Sequence, residues 1–86
     1  MDYAAEKAKA MKAFTDERIK AEEYCREGAV LLIESGACSS TNPRKADALR
    51  QSGEAFTNAH LCCIRAADFM YDSLRLKALA KVKLED

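Results

Sequence analysis

A single histidine, His60, precedes two adjacent cysteines, Cys62 and Cys63. Imidazole titrates near neutrality and a thiolate is a strong nucleophile, so this cluster is where proton transfer, phosphotransfer or thiol chemistry would sit. On a helix His60 and Cys63 lie three residues apart on one face, within contact range. Nucleophilic catalysis would further need an oxyanion site and an orienting group. A mid-helix position supplies neither, because helical amides are consumed internally. His60 also keeps helical spacing with Phe56 and Cys63, which reads as a packed stripe. The expectation is therefore a partly buried, hydrogen-bonded histidine, with a small phosphotransfer or redox protein using His60 with Cys62 or Cys63 as the alternative.

The other candidate ligands fare no better. Cys25 and Cys38 complete a set of four cysteines. Neighbouring Cys62 and Cys63 diverge by ~100° on a helix, so they cannot chelate one tetrahedral ion as a two-residue spacer does. Free cysteines of this kind pack as small apolar side chains. Asp68 and Asp72 form an i,i+4 carboxylate pair, and Glu22, Glu23 and Glu27 form an acidic cluster. Bundle metal sites join such acids through Glu-x-x-His. Here the residue three before His60 is Thr57, so the ligand supply fails. There is no glycine-rich phosphate loop and no Ser/His/Asp set. No catalytic residue, cofactor or metal is expected.

The elements that must hold these residues follow from what interrupts the chain. Between Tyr3 and Gly36 there is no proline and one glycine, Gly28. Cys38 to Pro43 breaks the pattern once. From Arg44 to Leu84 there is again no proline and one glycine, Gly53. The spacing predicts a helix over 3–36, a loop over 37–43 and a helix over 44–84. Gly36 reads as the stop of the first helix, Thr41 or Asn42 as the cap of the second, and Pro43 as its first residue. A short connection makes the two helices antiparallel neighbours. Asp16 and Lys20 form an i,i+4 pair. A bend at Ser52-Gly53 would instead give a three-helix bundle.

The first helix carries a stripe through Ala4, Ala8, Met11, Phe14, Ala21, Cys25, Gly28 or Ala29, and Leu32, with Arg18 as its interruption. Gly28 on that stripe implies close approach of the other helix. The second helix carries two stripes. One runs Leu49, Gly53, Phe56, His60, Cys63, Ala67, Met70, Leu74. The other runs Ala55, Ala59, Cys62, Ala66, Phe69, Ser73, Leu76, Ala80. One neighbour needs only one stripe, so the second helix is expected to be sandwiched. Phe56 and Met70 are assigned to the seam within the hairpin, and the stripe from Ala55 to Ala80 to a partner. No family is assigned. Leu49, Gly53 and Phe56 are similar to the first helix of a tetratricopeptide repeat, but position 65, where that motif wants a small residue, is Arg.

Composition bounds the function. The 86 residues make at most one domain, with 14 basic and 14 acidic side chains. Zero net charge argues against a nucleic-acid binder. The run Arg75, Lys77, Lys81 and Lys83 suits the negative end of a helix dipole. No apolar run reaches the ~20 residues of a membrane span. The absence of a signal-peptide pattern leads to the expectation of an intracellular, cytoplasmic setting. The sequence thus points to an all-α antiparallel hairpin, completed into a bundle by self-association or a partner helix. Its expected role is a non-enzymatic interaction module, scaffold or adaptor.

Overall fold

The computed structural model describes residues 2–85, and side chains as far as Val82. Lys83 of the basic run lies outside the described side chains. Two helices, α1 (Tyr3–Ala37) and α2 (Pro43–Glu85), form an antiparallel hairpin that extends 70 Å and is 14 by 13 Å across its Cα positions. The described residues contain no strand. The second helix is continuous through Ser52-Gly53, so the three-helix alternative does not occur.

Each helix start is closed by a side chain. Asp2 accepts from the Ala5 amide at 3.2 Å. Asn42 accepts from the Arg44 amide at 2.9 Å, with Pro43 between them where no amide is needed. Gly36 does not stop α1. The helix runs one residue past it, no glycine adopts positive φ, and Cys38 turns extended while donating to the Ser35 carbonyl at 3.2 Å.

The seam between the helices has a strict rhythm. Every buried residue falls on alternating steps of four and three: Ala10, Ala21, Gly28 and Ser35 in α1, and Ala48, Ser52, Ala55, Ala59, Cys62, Ala66, Ser73 and Leu76 in α2. This is a heptad seam, with Gly28 and Ser52 at a positions and Ala10 and Cys62 at d positions. All its buried residues but Leu76 are small, so the backbones approach closely. The Ser52 hydroxyl, on a side chain two atoms long, reaches the Gly28 carbonyl of the other helix at 2.9 Å. Ser35 likewise donates to the Lys45 carbonyl at 3.2 Å, and Lys45 Nζ donates to the Ser35 carbonyl at 3.3 Å. The expectation of close approach at Gly28 holds.

The allocation of the α2 stripes is reversed from that expected. The stripe from Ala55 to Ala80 packs against α1, while Leu49, Phe56 and Leu74 of the other stripe stand 48, 40 and 59 % exposed. Short side chains bring the most atoms of two helices into contact, whereas large ones hold the axes apart. In α1 the expected stripe is also displaced: Phe14, Ala21 and Gly28 face the seam, but Ala4, Ala8, Met11, Cys25, Ala29 and Leu32 do not. Phe56 still touches α1, because its ring lies over Gly28, where an added Cβ would meet ring carbons at 2.9 Å.

The two glycines within the helices should respond oppositely to substitution. A Cβ on Gly53 would meet nothing within 4 Å, so Gly53→Ala should stabilise by about 0.5–1 kcal/mol through helix propensity. Gly28→Leu overpacks the seam against Phe56 and should destabilise by roughly 1–3 kcal/mol. Chemical denaturation of both variants checks the pair.

Candidate interaction surface

The eight residues expected to meet a partner lie inside the hairpin. Ala55, Ala59, Cys62, Ala66, Ser73 and Leu76 are buried, and Phe69 and Ala80 are half-buried. They are α2's half of the seam, and α1 already covers them. The sandwich expected for α2 therefore reduces, in the hairpin, to one covered face and one open face.

The open face is built from both helices. The register is fixed by the contacts of Ser35 with Lys45, Gly28 with Ser52, and Glu17 with Arg65. It sets Leu32 level with Leu49, Cys25 with Phe56, Arg18 with Cys63, and Met11 with Met70. These are e positions, flanking the seam on one side, and an antiparallel pair of helices brings its two e rows together. Exposed b positions, among them Ala29, Ala67 and Leu74, widen the row. One long side of the hairpin thus carries apolar side chains toward both ends, with Arg18, Glu22 and His60 exposed between them and Met11 and Leu32 37 and 50 % exposed. Exposed apolar groups gathered on one side, with polar residues among them, are a usual mark of an interface.

The opposite side is charged. Arg44 grips Glu34 through two hydrogen bonds, Nε to Oε1 at 2.6 Å and Nη2 to Oε2 at 3.0 Å. Arg65 donates to Glu17 Oε2 at 3.1 Å and to the Cys62 sulfur at 3.2 Å. Lys20 pairs with Glu17 at 3.7 Å rather than with Asp16. Glu17 occupies a seam position, its side chain 13 % exposed. Partial burial pushes its carboxyl up, but the hydrogen bonds from Arg65 and Cys62 and the charges of Arg65 and Lys20 together hold it below the ordinary carboxylate value. The Arg44 hydrogen bonds, against a smaller opposing effect of burial, do the same for Glu34.

His60 is exposed, not partly buried, and is hydrogen-bonded to no described residue. Two residues on, Cys62 points the other way into the seam and is 1 % exposed. A His60–Cys62 pair is therefore absent; only Cys63 shares the histidine's side. Cys25 and Cys63 are exposed, and the four cysteines are free. Among the described residues no three His, Cys, Asp or Glu side chains gather to hold a metal. Near the open end a shallow cleft of about 260 Å³ has Ala10, Ala13, Phe69 and Leu76 as its floor, with Lys9 and Asp72 on its rim.

Which stripe faces inward has a signal in the sequence: the unbroken four-three run of small residues in α2, matched by Ala21, Gly28 and Ser35 in α1. Glu17 obscures it, since a carboxylate in a seam position masks the α1 pattern until Arg65 is seen beside it.

The two depressed carboxyls give a sign for acid. The unfolded chain takes up protons at these sites before the folded one, so their contribution is present above the ordinary carboxylate range and is lost as pH falls through the folded values. Lowering pH from about 5 to about 3 should destabilise the hairpin. Glu17→Gln with Glu34→Gln should flatten that dependence, as read by thermal unfolding across the range.

No family model, curated protein or solved structure matches the chain.

Proposed function

We propose that the hairpin is a non-enzymatic protein–protein interaction module, a scaffold or adaptor, whose working surface is the apolar face shared by α1 and α2. The observation that carries this reading is the asymmetry of the two sides. Ion pairs are confined to one, which also exposes Val30, Leu61 and Leu79, while Leu32, Leu49, Phe56, Met70 and Leu74 run along the other. A face of that shape takes a helical segment or a second hairpin, laid lengthwise with its anchors at i, i+3, i+4 and i+7 spacing. No helix among the described residues is long and apolar enough to cross a membrane.

Leu49→Asp combined with Leu74→Asp should abolish association while the chain stays helical. Each carboxylate would lose hydration in the interface, at several kcal/mol. Val30→Asp, 60 % exposed on the charged side, should leave association unchanged. Leu76→Asp, by contrast, should unfold the hairpin, since Leu76 is buried in the seam. Circular dichroism separates the last case from the first. Sedimentation with capture from cell extract reads association, and unaltered binding by the Leu49/Leu74 variant would overturn the proposal.

A further inference from the structure

We infer that the occupant of the apolar face is a second copy of this chain, packed with its loop at the opposite end, to give an antiparallel four-helix bundle. The inference rests on the interaction-module reading and names its partner. A two-fold axis crossing the face at the level of Lys20 in α1, and between Leu61 and Cys62 in α2, sets α1 against α1 and α2 against α2 of the copy.

The face is complementary to itself under that one operation. In α2, Phe56 meets the copy's Ala67, Met70 meets its Gly53, and Leu49 meets its Leu74. In α1, Met11 meets the copy's Ala29 and Leu32 meets its Ala8. Four of these five pairs set a large side chain on a small one, as close packing favours, and the fifth sets leucine on leucine. The charges obey the same axis. Arg18, the interruption of the α1 stripe, meets the copy's Glu22, and neither forms an ion pair with a described residue in the single hairpin. The axes that suit α1 and α2 fall at the same height along the hairpin.

The area suffices. A face 70 Å long and 14 Å across offers on the order of 1,000 Å² per copy, or ~2,000 Å² in all, at the upper end of specific interfaces. The operation is isologous and closes at two copies. It also completes a bundle that two helices alone leave short of core.

Sedimentation equilibrium should give twice the chain mass. Thr15→Cys places a thiol opposite the copy's Cys25, so mild oxidation should yield a covalent dimer in which peptide mapping joins position 15 to Cys25. The two sites lie about 15 Å apart on one helix, beyond the ~4.4–6.8 Å Cα separation of a disulfide, so only a second copy can make that link. Asp16→Cys, turned off the face, should not make it. Arg18→Glu should weaken dimerisation several-fold and Arg18→Glu with Glu22→Arg should restore it. A single-chain mass would overturn the inference. If the Leu49/Leu74 variant then still lost a partner from extract, the interaction-module reading would stand without it. A dimer giving no link at position 15, or equal links at 15 and 16, would overturn the antiparallel arrangement.

Discussion

The structure depends on how closely two helical backbones approach. At Gly28 the absence of a side chain leaves the carbonyl open to the Ser52 hydroxyl, at 2.9 Å. That contact is buried, so a shift of register that removed the Gly28 acceptor would leave the Ser52 hydroxyl without a partner. Ala21, Ser35, Ala48, Ala59 and Ala66 keep the same narrow gap above and below it. The hairpin is held by contact along its length, with no deep cluster of large side chains.

A narrow gap has a consequence for everything larger. Few large side chains enter the gap, Leu76 being the one that is buried there among the described residues, and Met11, Leu32, Leu49 and Leu74 lie beside it. Phe56 illustrates the compromise, its ring over Gly28 and its outer part 40 % exposed. The seam consumes the small residues and leaves the larger apolar ones on the flank. The apolar face is thus the counterpart of the tight seam. The charged flank is fixed by the same register, which sets Glu34 beside Arg44 and Glu17 beside Arg65.

Much of this was legible from the amino-acid order. Pro43 and Asn42 mark where the second helix begins, the unbroken run beyond them marks its length, and Gly28 marks the close approach. The presence of two apolar stripes on α2 was also plain. Their order was not, because hydrophobicity ranks Leu49, Phe56 and Leu74 above Ala55, Ala59 and Ser73, while the geometry of close helices ranks them the other way. Glu17 deepened the ambiguity. In isolation it reads as a solvated charge, and only the arrival of Arg65 from 48 positions along the chain makes a seam site tolerable. His60 was misplaced for the same reason as its stripe.

The spacing of contacts along the hairpin also orders its assembly in time. Ser35 and Lys45 are ten residues apart in sequence, Gly28 and Ser52 twenty-four, Glu17 and Arg65 forty-eight. Each contact closes a larger loop than the last, and the entropy of closure grows with loop size. Once the turn has formed, however, every further pair finds its partner already beside it. Formation therefore runs as a zipper from the Cys38–Asn42 end, and opening begins at Tyr3 and retreats toward the turn. Amide protons of helical residues in the seam next to the turn should exchange more slowly than those at the far end, which exchange by fraying.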